Sequence, residues 1–272
     1  MAVNQGKQQP ISQSTKLSLI VLVLTSISAS VYAGEKENHI IKKSVDAYGG
    51  AKLLQLSQLT YTDSLYHYFD MQSGHSLQGP FSMHLNQQQI EVSLDLTNNN
   101  KAFKRTTARL IGNHGKDNTT TAHQVFVDGK GFEIDHCLQS YHVSNRLDFN
   151  NTDLGFSQML DPIIIKQLLK DKEKSQWQDT AYIQGQAHDV ITVNAKQANE
   201  YTLYLNQKTG YLSRMLQQRG AQTRTYDFLA HQQTDDGISW ATQLLVSTDA
   251  QPIYHTTSRE LSFEPLSTDT FK

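Results

Sequence analysis

The clearest alternation of apolar and polar positions in this sequence lies in Glu200–Arg219. Leu203 and Leu205 point to one side of an extended chain and the residues between them to the other, which is the period of a half-buried strand. Gly210 follows where a bulged hairpin needs a residue in the left-handed conformation. Tyr211–Arg219 then returns as a second strand, so the pattern predicts an antiparallel β-hairpin.

Two other stretches show the three- and four-residue spacing of an amphipathic helix. The first is Glu35–Tyr48, and the following Gly49 and Gly50 supply the backbone freedom that ends a helix. Ala51–Leu56 can form one further helical turn. The second stretch, Pro162–Asp171, begins with a proline, which a first helical turn tolerates. These patterns predict a small number of helices on an otherwise β-rich chain.

Two-residue periods, separated by Gly-, Asn-, Pro- or Gln-rich connectors, predict a succession of further strands. An Asp128-Gly129 pair suits a type I′ hairpin turn inside Val125–Ile134, and Asn113–Thr121 is typical of a polar loop. The remaining predicted strands are Gln58–Phe69, Phe81–Leu85, Gln89–Leu96, Ala102–Leu110, Leu138–Val143, Ala187–Val193, Thr223–His231, Ile238–Val246 and Tyr254–Phe263. Short connections favour antiparallel pairing. The predicted fold is therefore mainly β, with a curved antiparallel sheet that forms an open, unclosed β-barrel covered by a few helices.

The start of the chain has the composition of a secretory signal peptide. Lys7 and Lys16 precede the apolar run Leu17–Leu24, and Val31 and Ala33 stand where signal peptidase accepts short side chains. The apolar run is too short for a membrane-spanning helix, which needs about 20 residues. We predict a signal peptide at residues 1–33, cleaved near Ala33, and a single domain at residues 34–272. An uncleaved N-terminal anchor is the alternative.

Charge and cysteine content argue against some classes of function and of stabilisation. The chain of 272 residues has a formal net charge of −2, which becomes −4 without the two lysines of the predicted signal peptide. That balance argues against a nucleic-acid partner. The single cysteine, Cys137, excludes an internal disulfide, so packing alone must hold the domain together.

Eleven histidines invite the question of a metal site. The close ligand pairs typical of zinc sites are missing, and in the nearest cluster, His136, Cys137 and His142, adjacent strand residues face opposite ways. No Gly-x-Ser-x-Gly elbow marks a nucleophile, and no phosphate-binding loop precedes a helix. The sequence therefore predicts no catalytic residue, no metal site and no cofactor.

An apolar cavity is the functional feature that the pattern favours. Helices that cover the concave face of a curved sheet incompletely leave space for a lipid-like ligand. For each candidate residue, the alternative of an ordinary core side chain stays open. The predicted ligand-binding residues are Phe156, Met159, Ile163 and Leu168 near the second helix, and Leu203, Leu205, Met215, Trp240 and Leu244 on strands.

The order of motifs resembles a known superfamily. A helix that ends at Tyr48-Gly49-Gly50-Ala51 is followed by strands, an inserted amphipathic helix and the hairpin Tyr201-x-Leu-Tyr-Leu-x-x-Lys-Thr-Gly-Tyr-Leu. This order is similar to the periplasmic lipoprotein carrier (LolA/LolB-like) superfamily over about Glu35–Phe271. The resemblance implies an open barrel with helices as a lid and an apolar cavity for acyl chains. It transfers no ligand-contacting residue, because no residue-level motif matches.

A second resemblance concerns four short runs. Tyr48–Ala51, Gly129–Phe132, Leu160–Pro162 and Tyr182–His188 look like the region ahead of the catalytic domain in some secreted metallo-β-lactamase-fold hydrolases. Those proteins continue into a zinc-binding His-x-His-x-Asp-His segment, which this sequence does not contain up to Lys272. Neither the zinc ligands nor the activity therefore carries over. On this resemblance, the chain is a domain that stands alone or the product of an interrupted reading frame.

These patterns and resemblances lead us to expect a monomeric, non-enzymatic periplasmic protein. It would bind or carry a lipid, a lipoprotein acyl chain or another apolar small molecule. One alternative is an N-terminal accessory domain of a secreted zinc-dependent hydrolase whose catalytic part lies outside this chain. Another is an envelope module with a concave face filled by its own side chains and an envelope protein as partner.

Overall fold

The computed structural model describes residues 34–71, 82–109, 119–136, 138–143, 160–195, 199–267 and 269–271. The predicted signal peptide at residues 1–33 lies outside these ranges and stays a prediction. Helix α1 spans 34–47, α2 spans Ala51–Gln55, and α3 spans Asp161–Lys170, followed by a short 3-10 turn at Lys172–Lys174. The strands are β1 (Gln58–Met71), β2 (Ser82–Asp95), β3 (Asn100–Arg109), β4 (Thr119–Val127), β5 (Lys130–Asp135), β6 (Ser140–Val143), β7 (Ser175–Ile183), β8 (Gln186–Ala195), β9 (Asn199–Asn206), β10 (Leu212–Arg219), β11 (Gln222–Gln233), β12 (Ser239–Thr248) and β13 (Gln251–Ser262).

All the described strands belong to one 13-stranded antiparallel sheet with the order β6-β5-β4-β3-β2-β1-β13-β12-β11-β10-β9-β8-β7. Strands that follow one another in the chain are neighbours in the sheet, because short connections suit antiparallel pairing. The pairing of β1 with β13 joins the N-terminal and C-terminal series of strands. Since β6 and β7 stand at the two ends of the order, the sheet is open, and the predicted fold class is confirmed.

Several strand pairs contain β-bulges. The register shifts between Ser64 and Leu65 on β1, between Leu212 and Arg214 on β10, and between Val246 and Ser247 on β12. A bulge bends the strand that carries it and increases the local twist. These positions therefore help a sheet of this width to curve around the helices.

Two hydrophobic clusters form the core. The first cluster joins the apolar face of α1 to β8–β12 and part of α3, and the second cluster lies on β1–β3. The first cluster consists of Ile40, Ile41, Val45, Tyr48, Leu53, Ile165, Leu168, Ile191, Val193, Tyr201, Leu203, Leu205, Leu212, Met215, Tyr226, Phe228, Ala241, Leu244 and Val246. The second consists of Leu56, Leu59, Tyr61, Leu65, Ile90, Val92, Leu94, Phe103, Leu160, Ile163 and Ile238.

The C-terminal end of α1 packs closely on the turn between β11 and β12. Gly49 has a φ of +113°, and a Cβ at this position would lie 2.7 Å from the carbonyl oxygen of Gly237. Only glycine combines this conformation with such a close backbone approach. The prediction that Gly49 and Gly50 end the helix is therefore confirmed, and Gly49 also sets how closely α1 approaches the sheet.

The predicted hairpin at Glu200–Arg219 forms as β9 and β10. Gly210 has a φ of +81°, as the turn requires, and Ser44 of α1 donates a hydrogen bond to its carbonyl oxygen at 2.8 Å. A Cβ at Gly210 would lie 3.0 Å from the carbonyl oxygen of Lys43. The hairpin turn is thus also a docking point for α1.

Two sequence predictions are wrong in their bounds, and one strand was not predicted. Phe81–Leu85 and Gln89–Leu96 were separate strands in the prediction, but β2 runs without a break from Ser82 to Asp95. The glutamines between them continue the ladder because backbone hydrogen bonds do not depend on the side chain. Thr119–Thr121, predicted as loop, begins β4. Strand β7 was not among the predicted strands, and it is an edge strand with little apolar alternation.

Candidate functional site: the inner face of the sheet

One face of the sheet, here called the inner face, carries both clusters. On β1 it is formed by Leu59, Tyr61, Asp63 and Leu65, which are buried while the residues between them are half-buried. Directly paired residues share a face of a sheet, so the strand register extends the inner face across the molecule. One row of it consists of Trp177, Ile191, Leu203, Met215, Tyr226, Val246, Tyr254 and His67.

A cleft of about 340 Å³ adjoins the second cluster. Leu56 and Ile238 belong to both, and Phe263 packs against the cluster from the cleft side. The volume falls at the lower end of the range for small-molecule sites, about 300–1,000 Å³. The other lining residues are polar: Lys52, Gln55, Ser57, Gln58 and Asp236. The cleft therefore brings solvent to the apolar part of the inner face.

Helix α3 lies over the boundary between the two clusters. Ile165 and Leu168 on α3 are buried in the first cluster, whereas Ile163 is buried in the second. The Lys166 ammonium donates a hydrogen bond to the carbonyl oxygen of Leu56, next to the cleft. This helix consequently covers the inner face where the two clusters meet.

Asp161, at the start of α3, is fully buried and hydrogen-bonded to three other elements. Its carboxylate accepts hydrogen bonds from the Tyr48 hydroxyl at 2.7 Å and from the backbone N–H of Ala241 at 3.0 and 3.1 Å. The His231 Nε2 atom lies 3.0 Å from Asp161 Oδ2 and 3.1 Å from Tyr48 Oη. The Tyr48 oxygen also accepts from the backbone N–H of Leu212 at 3.1 Å. Asp161 thereby connects α3 to α1, β11 and β12.

The Tyr48 hydroxyl is protonated, as its hydrogen bond to Asp161 requires. Burial, and then the adjacent Asp161 carboxylate, raise the pKa of the Tyr48 hydroxyl well above its ordinary value. The phenol therefore stays protonated and remains a donor. The Tyr211 ring stacks on His231 with centroids 4.4 Å apart. The arrangement holds helices to strands and places no nucleophile beside a free base.

A buried ion pair crosses the inner face between β1 and β13. Arg259 donates from Nε to Asp63 Oδ1 at 2.7 Å and from Nη2 to Oδ2 at 2.6 Å, and both side chains have no exposed surface. Burial alone lowers the pKa of the guanidinium, but the Asp63 carboxylate reverses this and raises it above its ordinary value. Burial and then Asp63 raise the pKa of the Tyr61 hydroxyl. The pair is a buried polar element of an otherwise apolar region.

The predicted ligand-binding residues fall into three groups. Leu168 of α3 lies in the first cluster, in which α1 residues also pack, together with four residues of the sheet: Leu203, Leu205, Met215 and Leu244. Ile163 lies in the second cluster, and Trp240 is buried on β12 with its indole N–H lacking a hydrogen-bond partner. Phe156 and Met159 lie outside the described residues. Contact of these residues with a ligand stays a prediction.

Of the histidine cluster considered as a metal site, His136 directly follows β5 and His142 lies on β6. The rings of His123 and His136 stack with centroids 5.0 Å apart, and His142 lies 3.0 Å from Glu133. Cys137 lies outside the described residues. Among the residues that the structure describes, no group of three or more potential ligands could hold a metal ion.

Within the described part of the chain, no helix is both long enough and apolar enough to cross a membrane.

Comparison with known proteins identifies a shared fold at very low sequence identity. The LolA superfamily protein NE2245 from Nitrosomonas europaea superimposes with a TM-score of 0.51 at 9% identity, over 86% of this chain and 96% of that one. At that identity the likeness establishes the fold alone. No known protein family and no curated protein matches the sequence.

Two further solved structures are more distant. A putative outer membrane lipoprotein-sorting protein domain from Vibrio parahaemolyticus has a TM-score of 0.45 at 9% identity, over 87% of this chain and 97% of that chain. The MucA/MucB complex of Pseudomonas aeruginosa has a TM-score of 0.25 at 12% identity, over 85% of this chain and 60% of that chain. TM-scores this low establish no shared fold. The resemblance to metallo-β-lactamase-fold hydrolases receives no support from these matches.

Proposed function

We propose that this protein is a non-enzymatic periplasmic carrier or binding protein for a lipid, a lipoprotein acyl chain or another apolar ligand. One observation carries the proposal: the second cluster on the inner face adjoins a cleft of about 340 Å³. The fold shared with a LolA superfamily protein supports the same reading. The periplasmic location rests on the predicted signal peptide at residues 1–33.

Burial of apolar surface would drive binding. Each Å² removed from water contributes roughly 25 cal/mol before the cost of ordering the partners. Leu56, Ile238 and Phe263 offer such surface at the cleft. Because α3 spans both clusters, a shift of this helix would extend the apolar surface toward the predicted residues of the first cluster.

The proposal is tested on the protein purified from its natural compartment. We expect mass spectrometry of organic extracts to recover a lipid, and the emptied protein to take up a fluorescent fatty acid. Absence of both a recovered lipid and uptake would overturn the proposal.

A matched pair of variants locates the binding surface. Ser57 lines the cleft and is exposed, so Ser57→Trp should fill the cleft and reduce uptake without loss of stability. Leu54→Trp on the exposed side of α2 is the control, because Leu54 does not line the cleft. Equal uptake by both variants would show that the cleft is not the entry site.

A further inference from the structure

The inner face becomes polar toward the far end of β1 from the cleft. Leu65 is paired with Gln88 on β2 and with Thr256 on β13, so the three side chains form one row of this face. Gln88 is 4% exposed and Thr256 is fully buried. Two polar residues thus flank an apolar one in the interior of the sheet's concave side.

Both polar residues carry a buried atom without a hydrogen-bond partner. These atoms are Gln88 Oε1 and Thr256 Oγ1. The amide nitrogen of Gln88 is engaged, since Nε2 lies 3.2 Å from His67 Nδ1, and this contact leaves the amide oxygen as the open acceptor. A buried acceptor without a donor is costly, and such groups in native proteins need an explanation. A ligand that brings a donor is one explanation.

A cation stands beside this row. Arg105 on β3 is paired with the buried Ile90, which places it on the inner face, and its side chain is half-buried. No hydrogen bond or ion pair joins Arg105 to another residue in the described part of the chain, unlike Arg259 and Arg214, which hold Asp63 and Asp227. Arg105 and His67 are only partly buried, so solvent reaches this end of the inner face at these two side chains.

The other charges on this part of the face leave Arg105 available. Burial, followed by the charge of Arg105, lowers the pKa of His67, so its imidazole is neutral at pH 7. Lys101, also on β3, adds a second cation, and burial lowers its pKa to about 8. The carboxylates of the same face have partners of their own. Asp63 binds Arg259, and Glu133 lies 3.0 Å from His142. Asp135 accepts a hydrogen bond from the backbone N–H of Leu138 at 3.0 Å.

We propose that this polar end binds the head group of an anionic amphiphile. The Arg105 guanidinium takes the acidic group at the partly exposed end of the face. Gln88 Oε1 and Thr256 Oγ1, which are buried in the ligand-free protein, take a neighbouring hydroxyl or amide N–H once the ligand opens this end, and the acyl chain then packs on Leu65 and Ile90. The inference rests on the proposed binding of apolar ligands and specifies their class. Guanidinium binds carboxylate and phosphate alike, so both sources of the acidic group belong in the test.

The experiment measures displacement of the neutral dye N-phenyl-1-naphthylamine from the purified protein. The competitors share a twelve-carbon chain: dodecanol, dodecanoate, dodecyl phosphate, lauroyl lysophosphatidylglycerol and dodecyltrimethylammonium, each below its micelle concentration. We expect the anionic compounds to bind roughly tenfold more tightly than dodecanol, because a charge-assisted hydrogen bond is added. The lysolipid, which carries both an acid and hydroxyls, should bind most tightly.

Two variants attribute the preference to these side chains. Arg105→Gln should abolish the advantage of the anionic compounds over dodecanol. Lys104→Gln is the matched control, since Lys104 is the next residue, lies on the opposite face and makes a surface pair with Glu91 at 3.7 Å. It should keep the full preference.

Gln88→Leu separates a binding role from a structural one. The change removes the unpartnered acceptor together with the Nε2 contact to His67, two effects of opposite sign, so Tm should change little. The advantage of the lysolipid over dodecyl phosphate should be lost. A lowered Tm with unchanged selectivity would assign Gln88 to folding and overturn its role in binding.

The outcomes distinguish this inference from the function on which it rests. Equal affinity for dodecanol and the anionic compounds would overturn the head-group site and leave the carrier function standing. Failure of every competitor to displace the dye, together with no lipid in the extracts, would overturn the carrier function itself.

Discussion

At the residue scale, Asp63 and Arg259 form the most deeply buried ion pair in the described part of the chain. Two hydrogen bonds of 2.6 and 2.7 Å join groups that have no exposed surface. A buried pair of this kind is weak support for net stability, because desolvation offsets much of the attraction. Removing only one partner is strongly destabilising, because the remaining charge is then buried without compensation.

We therefore expect Asp63→Asn to lower the free energy of unfolding by about 3–5 kcal/mol, measured by urea denaturation. Glu91→Gln is the control, because Glu91 pairs with Lys104 at the surface with side chains 46% and 43% exposed. That change should cost less than about 1 kcal/mol. Similar losses in the two variants would contradict the assignment of Asp63–Arg259 as a desolvated pair.

At the scale of elements, α1 and α3 are each held by a specific polar or backbone contact as well as by apolar packing. Asp161 connects the start of α3 to Tyr48 and to the backbone of β12. Gly49 lets the end of α1 approach the turn before β12. Both contacts determine how much of the inner face the helices cover, which is the property on which ligand access depends.

Asp161→Asn should destabilise the protein and loosen α3. The loss of a carboxylate leaves the buried Tyr48 hydroxyl and Ala241 N–H poorly satisfied, which costs about 1–3 kcal/mol. Hydrogen–deuterium exchange should accelerate across 161–170. Asp171→Asn at the other end of α3 is the control, and its effect should be confined to the last turn. Unchanged exchange at the start of α3 in Asp161→Asn would refute the role assigned to this carboxylate.

Gly49→Ala tests the contact between α1 and the turn. Gly129 also has a positive φ, +76°, but a Cβ there meets open space. Gly129→Ala should therefore show the conformational cost alone, about 1–2 kcal/mol. Gly49→Ala should cost clearly more, because its Cβ would lie 2.7 Å from the Gly237 carbonyl oxygen. Thermal unfolding of both variants measures the difference, and equal losses would rule out a tight contact.

At the scale of the whole molecule, ligand binding and folding are linked. A ligand that binds only the folded state at 100 times its Kd adds about 2.7 kcal/mol to stability. For a domain of this size, that corresponds to an increase in Tm of roughly 5–10 °C. We expect such an increase when wild-type protein is saturated with an anionic amphiphile that displaces the dye. Scanning calorimetry of the Arg105→Gln variant at the same ligand concentration should show a smaller increase, whereas an unchanged wild-type Tm would contradict binding to the folded state.

Much of the architecture was predictable from local sequence. The two-residue alternation of Leu203 and Leu205, the positive-φ glycine at Gly210 and the helical spacing before Gly49 each depend on neighbouring residues, and the structure contains each element. Prediction was less accurate where local signals were weak. The glutamines inside β2 resemble a connector, and the exposed edge strand β7 has little apolar alternation.

The candidate site was less predictable, because its residues come together only through long-range pairing. Phe156 and Met159 lie outside the described residues, and most of the other predicted lining residues lie in the first cluster. Nothing in the sequence near Gln88, Arg105 or Thr256 marks them as neighbours. They share a face only because β1 lies between β2 and β13.

By itself, the sequence determined which segments are strands or helices and where glycines end them, since those preferences arise within a few residues. Tertiary structure decided which strands pair, which polar groups are buried, and which of them lack partners. Asp63 and Arg259 are separated by 196 positions in the chain, and Tyr48 and Asp161 by 113. Contacts over such separations depend on the register of the whole sheet, because a shift of one residue in one strand would move every side chain of that strand to the opposite face.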